Sequence, residues 1–257
     1  MPKGADSFIQ KIAKEAGAAV LKRFGKDGIH YMKSERAWDS VTKADLLSEK
    51  IITSRIRKRY PEHSIISEES GVTNDGSEYT WIIDPIDGTM YFADGIPLFV
   101  VLIALAHKKK IILSAIYLPV TKELFFAKAR KGAYRNGKRI HCSNKKDWNR
   151  SIGCAPAILN DRTIVFFKRF LNQARGKNFV IDKLGGINEP YVALGRRDWC
   201  VSIGARLWDY APGYLILKES GCIVTNLQGK PWEIEDRELI AANPRLHKKL
   251  LKLTKGI

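Results

Sequence analysis

The stretch 81-WIIDPIDGT-89 is the most informative part of this chain, because it joins an apolar strand pattern to two carboxylates and a glycine. Its first three residues predict a short buried strand that delivers Asp84 and Asp87 to its C-terminal end. Carboxylates three residues apart on such a turn can converge on a hard cation, and Mg²⁺ prefers oxygen ligands. Gly88 and Thr89 are expected to open a helix, whose free N–H groups and dipole suit a phosphate. Considered alone, the stretch fits equally well a structural strand–turn–helix in which the two aspartates serve only as helix caps.

Further acidic residues lie outside this stretch. Glu68 and Glu69 follow a predicted strand, 64-SIIS-67, and Asp209 precedes a predicted helix as a plausible N-cap. Each of these features is more often structural than functional when it is considered alone. Together with the aspartates of 81–89 they favour a metal next to a phosphate, which is the arrangement that phosphoryl transfer requires.

Hydrophobic periodicity predicts helices and strands on both sides of these acids. The run 98–107 is continuously apolar, which is typical of a strand buried on both faces, and a β-meander follows up to residue 134. The pattern changes near residue 140, so we expect two subdomains, 1–140 and 141–257, that share one interface. Helices are predicted at 6–24, 45–60, 161–174, 188–194, 209–220 and 244–253, and further strands at 199–203, 223–225 and 239–240.

The composition is that of a globular protein with a large excess of positive charge. Of its 257 residues, 44 are Lys or Arg and 27 are Asp or Glu, for a net charge of +17. Hydrophobic residues make up 45%, which excludes a disordered chain. The longest apolar run, 98–106, is about half of the roughly 20 residues that a bilayer span needs, and no secretory signal is visible. We therefore expect a cytoplasmic protein whose charge attracts nucleic acid or phosphorylated metabolites.

The cysteine and histidine patterns exclude other hydrolytic chemistries. The four cysteines form no CxxC pair and indicate free thiols in a reducing compartment. No histidine belongs to an HExxH pattern, and no GxSxG elbow is present. The chemistry is therefore expected to rest on carboxylates.

Five sequence blocks carry a family resemblance over nearly the whole chain: 41-VTKAD-45, 66-ISEES-70, 81-WIIDPIDGTMYF-92, 131-KGAYRNGKRI-140 and 208-WDYAPG-213. Together they resemble the inositol monophosphatase family of Mg²⁺-dependent, lithium-sensitive phosphatases, whose superfamily includes fructose-1,6-bisphosphatases and bisphosphate nucleotidases. The resemblance implies an α+β fold layered as an αβαβα sandwich of the sugar-phosphatase type. It also implies a homodimer and two or three Mg²⁺ ions per site.

The resemblance further implies site residues. Asp45 and Thr89 match the pair that orients and deprotonates the attacking water, and Glu69 matches an acid beside the first metal. Glu68 matches a residue that serves in the family both as a metal ligand and in catalysis. The residues that match metal ligands are Glu68, Asp84, Ile86 through its carbonyl group, Asp87 and Asp209. The residues expected to contact the substrate are Asp87, Gly88, Thr89, Gly185, Ser202 and Arg206.

Departures from the family pattern concern the substrate side of the site. Relatives that prefer inositol phosphates carry a glutamate seven residues before the metal-binding aspartate, and this chain has Ser202 there. The contact to the ring hydroxyls is therefore expected to be lost or changed. Arg206 suits a second phosphate or a carboxylate, with an ordinary surface arginine as the alternative. Tyr91 stands where an asparagine is common and is expected to pack rather than face the substrate.

The sequence thus predicts a Mg²⁺-dependent phosphomonoesterase acting on a small phosphorylated metabolite, such as inositol 1-phosphate or a sugar phosphate. Histidinol phosphate and a 3′(2′),5′-bisphosphate nucleotide are alternative substrates. A nucleic-acid-binding protein on a phosphatase scaffold is the alternative of another class, motivated by the +17 charge. A membrane partner is not expected.

Overall fold

Two large β-sheets alternate with three layers of helices in this chain, and a separate two-stranded hairpin accompanies them. The computed structural model describes residues 1–35, 39–73, 76–156, 159–175, 180–182 and 185–257. Within these ranges, no helix is long and apolar enough to cross a membrane. The α-helices are α1 (Ala5–Arg23), α2 (Lys43–Arg59), α3 (Thr89–Ala93), α4 (Asp161–Ala174), α5 (Asn188–Ala193), α6 (Leu207–Glu219) and α7 (Pro244–Thr254).

The strands fall into three sheets. A small hairpin pairs β1 with β2, an eight-stranded sheet has the order β10-β9-β8-β7-β6-β5-β3-β4, and a five-stranded sheet has the order β12-β11-β13-β15-β14. The strands are β1 (Ile29–Met32), β2 (Ser40–Thr42), β3 (Ser64–Ser67), β4 (Gly71–Thr73), β5 (Tyr79–Asp87), β6 (Val100–His107), β7 (Lys110–Leu118), β8 (Glu123–Lys128), β9 (Gly132–Arg135), β10 (Lys138–Ile140), β11 (Ile152–Cys154), β12 (Val180–Asp182), β13 (Trp199–Ile203), β14 (Ile223–Thr225) and β15 (Glu238–Ala242).

Strand alternation divides the large sheet between two cores. Successive strand residues point to opposite faces, so Ile83 and Ile103 pack against α1 and α2, whereas Ile82 and Leu102 pack toward α6. Both faces are buried, which explains why 98–106 is apolar without interruption. The expectation of a strand buried on both faces is therefore correct, although β6 begins at Val100.

The five-stranded sheet is likewise divided between two cores. Cys200 faces the middle layer with α5 and α6, while Trp199 and Val201 face the outer layer of α4 and α7. The order of layers is thus α1 and α2, eight-stranded sheet, α5 and α6, five-stranded sheet, α4 and α7. The predicted α+β fold with an αβαβα arrangement is confirmed.

Several predicted boundaries were wrong, and each has a local reason. Helix α1 begins at Ala5 after Gly4, which has φ 71°, and not at a side-chain cap. Helix α2 begins at Lys43, because Thr42 caps it. Helix α6 begins at Leu207, so Pro212 lies in its second turn, where its missing N–H removes one helical hydrogen bond.

The strand β5 runs through Pro85, against the prediction that the strand ends at residue 83. Its pairing with β6 shifts between Asp84 and Asp87, where β5 holds one residue more than its partner. This irregularity is a β-bulge, a position that tolerates a proline in a strand. The hydroxyl group of Ser48 in α2 donates to the Pro85 carbonyl at 2.8 Å and holds the bulge.

A tight contact in the outer core gives a stability prediction. Gly153 lies beside the fully buried Trp199, and a Cβ atom at position 153 would overlap the indole ring. We expect Gly153→Ala to lower the free energy of unfolding by about 1–3 kcal/mol, because overpacking forces the ring or the strand to move. Chemical denaturation measures the change. Gly28→Ala, which adds a methyl group with no atom within 4 Å, is the control and should differ little from wild type.

Candidate active site

A cavity of about 1340 Å³ lies where β5, β13 and the starts of α3, α5 and α6 meet. Ten residues predicted to form the site line this cavity: Glu68, Asp84, Ile86, Asp87, Gly88, Thr89, Gly185, Ser202, Arg206 and Asp209. A smaller depression of about 670 Å³ lies against α1 and α2 and contains none of them. The larger cavity is therefore the candidate site.

The bulge in β5 explains how two aspartates reach one cavity. Side chains three residues apart on a regular strand point to opposite faces, and the extra residue in β5 removes this constraint. Both Asp84 and Asp87 consequently line the cavity. Because β3 runs parallel to β5, its C-terminal end lies beside them, and the Glu68 N–H donates to the Ile83 carbonyl at 3.2 Å.

Asp209 reaches the cavity from the first turn of α6. It is the third residue of the helix and not the N-cap that the sequence suggested, since Arg206 occupies the capping position. Its carboxylate accepts a hydrogen bond of 2.5 Å from the backbone N–H of Arg206. This contact closes the first turn and fixes the carboxylate near the other acids.

Burial and mutual repulsion dominate the electrostatics of these acids. Burial, followed by the negative charges of Glu68, Asp87 and Asp209, raises the pKa of Asp84 well above its usual value. Burial and Glu68 raise the pKa of Asp87 to about 7. One carboxylate oxygen of Asp84 is buried without a hydrogen-bond partner. Such a group is costly unless a cation or a donor satisfies it.

Among the described residues, one lysine neutralises part of the negative charge of these acids with its ammonium group. Lys33, which follows β1, places its Nζ atom 2.8 Å from a carboxylate oxygen of Glu68 and 2.8 Å from one of Glu69. Burial opposes its charge, but the two glutamates raise the pKa of Lys33. Burial nevertheless raises the pKa of Glu69 to about 7.

The chemical nature of the side chains in the cavity suits a hard cation, although they are not arranged as a complete coordination shell. In the part of the chain that the structure describes, no three His, Cys, Asp or Glu side chains gather tightly enough to form a finished metal site. The lining of the cavity nevertheless contains no His or Cys among the described residues, and its carboxylates offer oxygen ligands, one of them buried and unpartnered, with an excess of negative charge. Oxygen donors and negative charge are what Mg²⁺ requires.

Asp45 and Thr89 form a hydrogen-bonded pair at the edge of the cavity. The Thr89 hydroxyl lies 3.0 Å from one carboxylate oxygen of Asp45 and 2.9 Å from the Ile86 carbonyl, and its single proton can go to either acceptor. The other oxygen of Asp45 accepts from the N–H and the hydroxyl group of Thr42, at 2.7 and 2.5 Å. Burial raises the pKa of Asp45 to about 6.

Two glycines allow close approach in this region. Gly88, with φ 92°, opens α3, and a Cβ atom there would lie 2.5 Å from the Leu98 carbonyl. A Cβ atom at Gly186 would overlap the Asp87 carboxylate. Tyr91, which was expected only to pack, lines the cavity close to Gly185. Arg206 is exposed at the rim of the cavity.

Sequence reasoning missed two charged residues of this site. Lys33 belongs to no motif that we identified, and its contact to Glu68 spans 35 residues. Glu189 is buried in α5 and lines the cavity, where its carboxylate accepts a hydrogen bond from Ser202. A single acidic residue in a short helix gives no periodic signal, so only the folded chain reveals it.

Known proteins resemble this chain along its whole length. A profile of the inositol monophosphatase family matches residues 4–257. A putative Nus factor SuhB of Neisseria meningitidis is 33% identical, covering 95% of each chain. A fructose-1,6-bisphosphatase/inositol-1-monophosphatase of Aquifex aeolicus is 34% identical, covering 96% of this chain and 94% of the relative.

The crystal structure of the extragenic suppressor protein suhB from Bartonella henselae superposes with a TM-score of 0.88 at 30% identity, covering 96% of this chain and 97% of that one. The resemblance inferred from the sequence is confirmed, and the chain belongs to the inositol monophosphatase family.

Proposed function

We propose that this protein is a Mg²⁺-dependent phosphomonoesterase that hydrolyses a small polyol or sugar phosphate. The observation that carries the proposal is the hydrogen bond between the buried Asp45 and Thr89, which lines the same cavity as the carboxylates of Glu68, Asp84, Asp87 and Asp209. A group that positions water next to an acidic cation site is what metal-assisted hydrolysis of a phosphate ester needs.

The site residues predicted from the sequence have separate tasks in this proposal. Asp45, buried and held by Thr42, accepts the Thr89 proton, which leaves the Thr89 oxygen free to accept from the attacking water. Glu68, Asp84, Asp87, Asp209 and the Ile86 carbonyl would hold the Mg²⁺ ions, and Glu69 would support Glu68. The ions would supply charge neutralisation and activation of the water. The Gly88 N–H, which now hydrogen-bonds to the Asp87 carboxylate, would contribute with Thr89 to phosphate binding.

The substrate class follows from the cavity and from the family. A volume of about 1340 Å³ admits a monosaccharide-sized phosphate ester, and the relative from Aquifex aeolicus carries both fructose-1,6-bisphosphatase and inositol-1-monophosphatase in its name. Gly185, Ser202 and Arg206 would form the substrate side. Histidinol phosphate and bisphosphate nucleotides remain alternatives. The expected homodimer, lithium sensitivity and cytoplasmic location stay predictions.

A phosphate-release panel tests the activity. Inositol 1-phosphate, fructose 1,6-bisphosphate, histidinol phosphate and 3′-phosphoadenosine 5′-phosphate are each incubated with the protein and Mg²⁺, with and without Li⁺. We expect Mg²⁺-dependent release, inhibited by Li⁺, with a polyol or sugar phosphate as the preferred substrate. If no ester releases phosphate, the proposal is wrong.

Asp84→Asn separates a role in catalysis from a role in folding. The variant removes a cation ligand, so we expect kcat/KM to fall by about 100-fold or more, since even supporting residues of a metal site are worth 10–100-fold. It also removes one of several repelling charges, so the metal-free variant should melt no lower than wild type. Thermal denaturation with and without Mg²⁺ provides the second measurement. Asp147→Asn is the matched control, because Asp147 is the exposed N-cap of the 3₁₀ helix Trp148–Arg150 and asparagine also caps helices. Near-normal turnover in Asp84→Asn would contradict the assignment.

A second candidate function is binding to nucleic acid. It is favoured by the +17 charge and by the name of the Neisseria meningitidis relative, a putative Nus factor. Helix α7 and its C-cap residue form an exposed basic face that makes no ion pair within the described residues, made up of Arg245, Lys248, Lys249, Lys252 and Lys255. Clustered basic residues of this kind suit a phosphate backbone.

Salt-dependent binding to labelled single-stranded RNA tests this candidate. If the α7 face binds phosphates, the variant Lys248→Gln/Lys249→Gln should bind more weakly, and its slope of log affinity against log salt should be reduced by about 1.4. The matched control is Lys50→Gln/Lys58→Gln, which removes two positive charges from α2, in the outer helix layer on the other side of the protein. Equal losses in both variants would indicate only a general charge effect and would remove the case for this face.

A further inference from the structure

The proposed reaction assigns no task to Glu189, although this residue is built into the cavity. Its side chain comes from the first turn of α5, and the residue is only 6% exposed. It lines the same cavity as Asp87 and Asp209. A buried carboxylate in such a place is costly unless something in the folded protein or a ligand satisfies it.

The contacts of Glu189 leave it open to a ligand. Ser202 in β13 donates its hydroxyl proton to one carboxylate oxygen of Glu189 at 3.2 Å. Within the described residues, no lysine or arginine forms an ion pair with Glu189, and the charges that act on it come from acids such as Asp87. The described residues therefore supply two donors, the Ser202 hydroxyl group and the backbone N–H of Glu189 itself, and no cation.

The neighbouring helix is shaped to hold this side chain. Gly213 of α6 faces α5, and a Cβ atom there would lie 2.7 Å from Cγ and 2.9 Å from Cβ of Glu189. These atoms are close to the backbone, so the side chain could not avoid the clash by moving its tip alone. The absence of a side chain at Gly213 thus permits the position of Glu189.

The chemistry of the pair matches an alcohol. A carboxylate accepts hydrogen bonds from hydroxyl groups, and Ser202, while donating to Glu189, still has lone pairs that can accept another. Ser202 stands at the position where relatives that prefer inositol phosphates carry a glutamate, and the sequence predicts that the contact of this glutamate to the ring hydroxyls is lost or changed. Glu189 supplies a carboxylate next to it from a different element of the fold.

We propose that Glu189, oriented by Ser202, binds hydroxyl groups of the alcohol portion of the substrate and makes the site selective for polyol phosphates. The inference rests on the proposed phosphatase function and adds a specificity residue to it. Esters without hydroxyl groups on the alcohol portion would gain nothing from Glu189.

The test compares two phosphate esters on the Mg²⁺-loaded protein. Wild type, Glu189→Gln and Glu189→Ala are assayed with myo-inositol 1-phosphate and with phenyl phosphate. We expect the ratio of kcat/KM for the inositol ester to that for phenyl phosphate to fall by about 10- to 100-fold in Glu189→Ala, mainly through KM, because hydroxyl groups lose a charged acceptor. Glu123→Gln, which removes a carboxylate paired with Arg135 outside the cavity, is the matched control.

A second variant tests the position of the carboxylate without removing it. Gly213→Ala should displace Glu189 and lower the same ratio, although the acid is still present. Thermal denaturation of each variant checks that the fold persists. Calorimetric titration with Mg²⁺ gives a measurement that does not depend on activity, and the Mg²⁺ affinity of Glu189→Gln should lie within about twofold of wild type.

The outcomes separate this inference from the function on which it rests. If wild-type protein hydrolyses neither ester, the phosphatase proposal fails. If it hydrolyses both and the ratio does not change in the variants, or falls equally in Glu123→Gln, only the role of Glu189 is overturned. A large loss of Mg²⁺ affinity in Glu189→Gln would also overturn it, because Glu189 would then act on the cation.

Discussion

The repulsion among buried carboxylates is the interaction on which the rest of this structure depends. Asp84, Asp87 and Asp209 share one cavity with Glu68, and their charges raise one another's pKa values. Folding brings these charges together because the cores on both sides of the large sheet require β5 to lie where it does. The protein therefore accepts a local electrostatic cost that a cation can offset, which links the stability of the fold to the chemistry of the site.

The surface charge has a clearer meaning in this setting. In the proposed reaction, a net charge of +17 would draw an anionic substrate toward the protein, while the acidic cavity itself would repel it until cations are bound. Lys33 supplies a first counter-charge by bridging Glu68 and Glu69. The basic face of α7 lies on the outer layer beyond the five-stranded sheet, so it does not form part of this cavity. Substrate attraction thus accounts for only part of the surplus.

Much of the fold could be predicted because it depends on local patterns. The uninterrupted apolar run of β6 indicated burial on both faces, and the block 81–89 together with 208–213 indicated the family. The errors occurred where tertiary contacts override local signals. The bulge that carries β5 through Pro85 depends on pairing with β6, and the start of α6 places Asp209 inside the helix instead of at its cap.

The sequence by itself indicated the helices, the strands and the group of acids, because hydrophobic periodicity and short motifs act over a few residues. The layered α+β fold was expected from the family resemblance. The pairing of Thr89 with Asp45 was also expected, although only from the family resemblance. Only the tertiary structure decided which positive charge pairs with those acids and which carboxylate lies next to Ser202. Lys33 and Glu189 belong to no local pattern, and their positions depend on how β1, α5 and α6 pack. A contact between residues far apart in the chain becomes fixed only when the cores that hold them have formed.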